Sequence, residues 1–165
     1  MNKMNIILSL TTTQNSNMKY SLEIEVNKPL EKVIALLDDP EKMKHWQPGL
    51  LSYEVLSDEP RKEGVQMKLR YKMGKREIEM IETITAYDLP KGMSATYETN
   101  GVINIQKNLF HAIDENRTHW VSDNEFVFNN FMMKLMGTFM PRAFKKQSKI
   151  YLQAFKKFAE KSQEL

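Results

Sequence analysis

The C-terminal stretch that decides the fold runs from Asn129 to Lys161 and reads NNFMMKLMGTFMPRAFKKQSKIYLQAFKKFAEK. Its apolar residues recur at intervals of three and four, which predicts an amphipathic α-helix with one buried stripe. Asn129 or Asn130 can provide the N-cap. Pro141 predicts a kink, or a split between the first two turns and the rest. The stripe consists of Met132, Leu135, Met136, Phe139, Met140, Ala143, Tyr151, Leu152, Phe155 and Phe158.

The residues before this helix alternate between apolar and polar types, and this period of two predicts β-strands. Seven such runs occur, at residues 20–26, 51–55, 65–73, 76–87, 93–97, 102–113 and 117–128. Turn sequences as short as Gly74-Lys75 and Asn100-Gly101 join consecutive strands. Strands that are neighbours in the chain should therefore pair as antiparallel hairpins.

Two helices should follow the first strand. One begins near Pro29, and a shorter one runs from Asp39, a plausible N-cap, to about Trp46. The order is then β-α-α, six strands and a long helix. A sheet with one apolar face must cover that face, and the C-terminal helix is the element suited to do so. We therefore predict an α+β fold in which a curved antiparallel sheet of about seven strands wraps around the long C-terminal helix.

The length and composition fit one folded domain, which we place at residues 18–161. Residues 1–17 are expected to be a disordered leader or to reflect an incorrectly assigned start, with Met18 as the true initiator. The chain has no cysteine, which excludes disulfides, thiolate metal sites and a cysteine nucleophile. A cysteine-free chain fits a reducing compartment, and we predict a cytoplasmic location.

Positive charge is concentrated in residues 131–161. This segment contains eight Lys or Arg and one acid, Glu160, so its net charge is +7. The net charge of the whole chain is +3, so the remaining residues carry −4. A solvated outer face of the helix is the simplest interpretation, because cations near a helix C-terminus oppose its dipole favourably. An anionic membrane surface is an alternative, although the sheet already needs the apolar face. We expect no nucleic-acid partner, since no groove-reading motif is present, and no stable membrane insertion.

Three short segments carry a resemblance to a known superfamily. They are PLEKV at 29–33, DPEKMKHWQPG at 39–49, and IETIT at 81–85, which is followed by Leu89-Pro90. Together with the order of elements, they resemble the START/Bet v 1-like (SRPBCC) superfamily and its polyketide cyclase/dehydrase-like branch, from about Met18 to Glu160. The resemblance implies a helix-grip fold with a ligand cavity, in members that bind lipids, hormones or polyketides and in others that catalyse cyclisation or hydration.

Glu82 is the candidate catalytic residue. By alternation it shares a strand face with Ile78, Met80 and Ile84, and also with Ala86. Burial among apolar groups favours the neutral form of a carboxylic acid, which suits a general acid or base near neutral pH. The alternatives are that fixed groups bind Glu82, or that a bulge turns it outward. The histidines have no metal-ligand spacing, and there is no glycine-rich phosphate loop, so we predict no metal and no nucleotide cofactor.

We predict that the cavity binds a small hydrophobic or amphipathic molecule such as a lipid or a polyketide-like compound. Four methionines at the start of the last helix favour a deformable lining there, whereas Tyr151, Leu152, Phe155 and Phe158 are expected to be ordinary packing. Strand 102–113 could turn inward either its Asn104 face or its Ile105 face. Two other functions stay open: a cyclase- or hydratase-like enzyme that uses Glu82, and an interaction adaptor that uses the basic helix. The predicted lining is Trp46, Met67, Leu69, Tyr71, Met80, Glu82, Tyr97, Trp120, Asn124, Met136 and Met140.

Overall fold

The computed structural model describes residues 17–57 and 62–162, apart from the side chain of Met132. All but the last residue of the predicted leader lie outside the described residues. The elements in chain order are β1 (Met18–Val26), α1 (Leu30–Asp38), a 3₁₀ turn (Pro40–Lys42), α2 (Met43–Trp46), β2 (Leu50–Val55), β3 (Gln66–Met73), β4 (Arg76–Asp88), β5 (Gly92–Thr99), β6 (Val102–Asp114), β7 (Arg117–Phe128), α3 (Phe131–Phe139) and α4 (Pro141–Lys161).

The seven strands form one antiparallel sheet in the order β1-β7-β6-β5-β4-β3-β2. Strands β2 to β7 pair with their neighbours in the chain, as the short turns predict. The first strand joins the last, with Met18 opposite Phe126 and Val26 opposite Thr118. The predicted helix-grip fold of a curved sheet around a C-terminal helix is thereby confirmed.

The long C-terminal helix is divided in two. Asn130 caps α3, since its Oδ1 accepts a hydrogen bond from the Met133 amide at 2.8 Å. Met140 has φ −128° and ψ 41°, which ends the helical path, and Pro141 then occupies the first position of α4. Of the two outcomes predicted from Pro141, the structure therefore has the split.

The main core lies between the sheet and the C-terminal half of α4. Phe155 is fully buried at its centre. Its ring packs with Trp46, at a centroid distance of 5.1 Å and nearly perpendicular, and with Trp120 in the same way at 5.3 Å. Edge-on geometry of this kind is favoured by the quadrupoles of the rings. These three aromatic rings therefore form the centre of the core. Among the described residues, no helix combines the length and apolar character needed to cross a membrane.

Two backbone details shape the surroundings of the cavity. Between α2 and β2, Gly49 has φ +86°, and a Cβ placed there would lie 2.6 Å from the carbonyl oxygen of Lys72. Only glycine fits this close approach, which also brings the Lys72 amide within 2.8 Å of the Gly49 oxygen. In β4 the register shifts between Ile84 and Ala86. This bulge leaves Ala86 exposed, so the expectation that Ala86 shares the inner face was wrong.

Candidate ligand cavity

A cavity of about 450 Å³ lies between the inner face of the sheet and the helices α3 and α4. Its volume falls within the range of small-molecule sites in proteins. The wall is mainly apolar, and several uncharged polar side chains interrupt it. The sheet contributes residues from β3 to β7, and the roof comes from α3 together with the first half of α4.

Most of the predicted lining residues lie in this wall. The structure brings eight of them together there: Trp46, Tyr71, Met80, Glu82, Tyr97, Trp120, Met136 and Met140. Met67 and Leu69 turn to the same side of the sheet. They are buried in the core cluster that contains Phe155 and do not border the cavity. Asn124 also turns inward, where it is buried behind the wall, and its Nδ2 lies 3.2 Å from the Oγ of Ser122.

Glu82 lies on the inner face of β4 and is 5% exposed. It is directly opposite Tyr97 of β5 in the sheet register, and the Tyr97 hydroxyl donates a hydrogen bond to Oε1 at 3.0 Å. Of the alternatives open from the sequence, the structure shows an inward carboxylate that is also held by a fixed group. This position brings a carboxyl group to the surface of the cavity, within reach of a bound molecule.

A second polar group lies beside it. The hydroxyl of Tyr71 donates a hydrogen bond to Oε1 of Gln47, and both residues line the cavity. Burial raises the pKa of Tyr71, and the nearby Tyr151 and Glu82 raise it further, because each is negatively charged when ionised. The pKa of Tyr151 is also raised by burial, against a hydrogen bond from Gln147 that lowers it. Both phenols are therefore neutral hydroxyl groups at neutral pH.

The inner face of β6 is the amide face. Asn104, Gln106 and Asn108 line the cavity, whereas Ile105 and Ile113 are exposed on the outer face. Nε2 of Gln106 donates to the Ser122 hydroxyl at 2.9 Å. Oδ1 of Asn108 accepts from the Trp120 indole at 2.9 Å. The amides are thus positioned by β7, and they form a polar strip along an otherwise apolar wall.

Methionines dominate the rest of the lining. Among the described residues, seven methionines take part: Met43, Met73, Met80, Met93, Met133, Met136 and Met140. Unbranched thioethers adapt to irregular shapes, so this wall can adjust to more than one ligand outline. Met136 and Met140 are also 43% and 53% exposed. The cavity therefore opens to the outside at α3.

Residues of α4 that the sequence analysis did not assign to the site complete the roof. Phe144, Gln147, Ser148 and Tyr151 recur at helical spacing and line the cavity. Tyr151, together with Leu152, was expected to be ordinary packing, and its place in the wall differs from that expectation because the cavity extends beyond Pro141. The sequence did contain a signal for this part of the roof, because Gln147 and Ser148 lie three and four residues after Phe144 and so share its side of the helix. Within the described residues, no three His, Asp or Glu side chains come together to hold a metal ion.

Known proteins resemble this chain along most of its length. The model of a family described as polyketide cyclase/dehydrase and lipid transport matches residues 17–160. The Zhui aromatase/cyclase from Streptomyces sp. R1128 superimposes with a TM-score of 0.72 at 15% identity, covering 87% of this chain and 94% of that one. Norcoclaurine synthase from Thalictrum flavum gives 0.68 at 15%, with 99% and 100% covered. Ara h 8.0201 gives 0.67 at 13%, with 88% and 99% covered. No curated protein sequence matches the chain.

Proposed function

The chain belongs to the polyketide cyclase/dehydrase and lipid transport family of the START/Bet v 1-like superfamily, and on that premise we propose that it binds a small hydrophobic or amphipathic molecule in its cavity. The observation that carries the proposal is the cavity itself. Its volume of about 450 Å³ is enclosed by an apolar wall with a strip of amides and hydroxyls. Such a wall stabilises an apolar body and orients a few polar atoms.

The polar groups narrow the ligand class. Among the described lining residues, Glu82 is the one with an ionisable carboxyl, and none is Lys, Arg or His. The wall therefore offers no cation to an anionic headgroup, and a fatty acid would bring its carboxylate to a surface without a countercharge. Hydroxyl and carbonyl oxygens suit the amides of Asn104 and Gln106. A lipid or a polyketide-like compound with neutral oxygen substituents fits this wall best.

Native mass spectrometry of protein purified without added ligand tests the proposal. We expect co-purified apolar mass, and we expect a neutral solvatochromic dye such as Nile red to bind and to be displaced by lipid extract. Gln147→Trp should block the cavity, because Gln147 lines it. Lys146→Trp is the matched control, since the adjacent side chain is exposed. A clean apo mass together with equal dye binding by both variants would contradict a ligand in this cavity.

A second function is favoured by one observation, the buried Glu82 carboxylate held by Tyr97 at 3.0 Å. Under this alternative the protein is a cyclase- or hydratase-like enzyme, and Glu82 transfers a proton to or from a bound substrate. Glu82→Gln should then lower turnover of the ligand identified by mass spectrometry by about 10²–10⁴-fold, with binding nearly unchanged. Glu79→Gln, on the outer face of the same strand, is the control. Equal turnover by both variants would contradict an enzymatic role of Glu82 and would favour the binding protein.

A further inference from the structure

The outer face of α3 is apolar and exposed. Phe131 and Phe139 are 77% and 75% exposed, and Leu135 lies between them on the same stripe. The helix is fixed in this orientation from the other side, because a methyl group on Gly137 would overlap the buried ring of Phe128. At 1.5 Å per residue the stripe is roughly 12 Å long. Large apolar side chains this exposed and this close together mark an interaction surface.

Basic residues lie close to the stripe in the chain. Arg142, Lys145, Lys146 and Lys149 are exposed on the first half of α4, and Lys134 lies on α3 itself. Residues 131–159 contain no Asp or Glu. Within the described part of the chain, no ion pair joins any of these five bases to an acid. Their charge is therefore available to an external anion.

We group the exposed stripe and the bases near it in the chain under one name, the docking face: Phe131, Lys134, Leu135, Met136, Phe139, Met140, Arg142, Lys145, Lys146 and Lys149. We propose that the docking face binds the surface of an anionic lipid bilayer. Such a surface offers hydrocarbon to the two phenylalanines and phosphate or carboxylate groups to the bases. α3 and α4 are separate helices, and Gly137, on the side of α3 opposite the stripe, packs against Phe128 of β7, so the sheet does not compete for the stripe.

Other occupants fit the face less well. A second copy of the chain, docked through the same face, would place its five basic side chains against the five of the first copy, and the like charges would repel each other. The location of the face is also informative, because Met136 and Met140 belong both to it and to the cavity wall. Docking therefore places the mouth of the cavity on the membrane, and an apolar ligand can pass between bilayer and cavity without crossing water. The docking itself does not depend on what the cavity binds.

Flotation with lipid vesicles tests the proposal on the full chain. Vesicles of phosphatidylcholine with about 30% phosphatidylserine should bind the protein, and pure phosphatidylcholine should bind it more weakly. About 0.5 M salt should weaken the binding to the charged vesicles, because it screens charge beyond a few ångströms. Replacing Lys145, Lys146 and Lys149 by glutamine should weaken it about fivefold for each base and roughly 100-fold together. Glutamine at the exposed Lys32, Lys91 and Lys107 is the control and should change it little.

The contribution of the stripe is measured separately. Phe131→Ser with Phe139→Ser should weaken vesicle binding by at least about tenfold, and both side chains are exposed enough that the thermal midpoint should hold. The exposed Leu51→Ser with Val55→Ser on β2 is the matched control.

Because the chain has no cysteine, Phe139→Cys provides a single site for an environment-sensitive dye. Its emission should shift to the blue with charged vesicles, whereas a dye at Glu115→Cys, in the turn at the opposite end of the sheet, should not respond. The proposal is overturned if the emission of the dye at residue 139 does not shift with charged vesicles. It is also overturned if the test and control triple variants lose equal vesicle affinity. A third contrary result is a dimer that Phe139→Ser dissociates, in a protein that binds no vesicles. Each outcome is separate from the mass of any ligand in the cavity.

Discussion

Gly49→Ala tests whether the junction of α2 and β2 depends on backbone contact. Gly49 has φ +86°, and the new Cβ would lie 2.6 Å from the carbonyl oxygen of Lys72. Gly74→Ala is the matched control, because Gly74 also has a positive φ, of +64°, but open space around it. The two substitutions share the conformational strain of an L-residue in the left-handed region, and they differ in the steric contact.

The magnitudes follow from that difference. Left-handed strain costs roughly 1–2 kcal/mol, and this is the whole expectation for Gly74→Ala. At Gly49 the oxygen belongs to the backbone of β3, so a shift must distort the strand at an additional cost of about 1–3 kcal/mol. The hydrogen bond from the Lys72 amide to the Gly49 oxygen, 2.8 Å long, is lost or weakened as well, at about 1 kcal/mol. The total for Gly49→Ala is roughly 3–6 kcal/mol.

Urea titration followed by tryptophan fluorescence measures both variants. With a slope near 2 kcal/mol per molar urea, the midpoint should fall by about 2 M for Gly49→Ala and by less than about 1 M for Gly74→Ala. Dye binding should weaken only in Gly49→Ala, because Gln47, two residues away, holds the Tyr71 hydroxyl in the cavity wall. Equal midpoints for the two variants would refute the steric argument.

Three further predictions concern the core, the cap of α3 and alkaline pH. Phe155→Ala should lower the free energy of unfolding by about 3–5 kcal/mol, as measured by urea titration, whereas Phe158→Ala should cost clearly less because its ring is half-buried; equal costs would contradict the placement of the core. Asn130→Ala should lower the free energy of unfolding by about 1 kcal/mol and speed amide hydrogen exchange in α3 but not in α4. Unchanged exchange in α3 would contradict the capping role of Asn130. Burial raises the pKa of Tyr71 and Tyr151, so the stability they contribute is complete below about pH 10, the unfolded phenol value, and is lost as the pH rises above it. The thermal midpoint should therefore fall above pH 10, and less steeply in Tyr71→Phe; an absorbance titration in which every phenol of the folded chain ionises near pH 10 would contradict this.

Much of the fold could be predicted, because burial imposes a period on the sequence wherever one face of an element is wet. The alternation in β3 and the spacing from Tyr151 to Phe158 are such cases. Local chemistry narrowed the cap of α3 to Asn129 or Asn130, and the structure shows that it is Asn130. Side chains that bind their own neighbours in the backbone need no tertiary information.

The cavity was harder to predict, because a cavity is the place where packing stops. Met67 and Tyr71 share one face of β3 and belong to the same buried cluster, yet of the two only Tyr71 also lines the cavity. Which residues of that face border the cavity depends on the side chains packed opposite them, and no residue of β3 encodes those. β6 was ambiguous for a different reason. Its outer face carries isoleucines, so apolarity alone does not tell whether Ile105 or Asn104 turns toward the inside.

The pairing of β1 with β7 has a consequence for synthesis. Met18 lies opposite Phe126, so within this sheet the strand that is synthesised first pairs with the strand that is synthesised last. At about 5–20 residues per second, β1 emerges roughly 5–20 s before its partner, and α4 arrives later still. During that interval the chain presents an unpaired strand edge, and closing so long a loop makes folding slow. The sheet therefore cannot be completed until Arg117–Phe128 has left the ribosome.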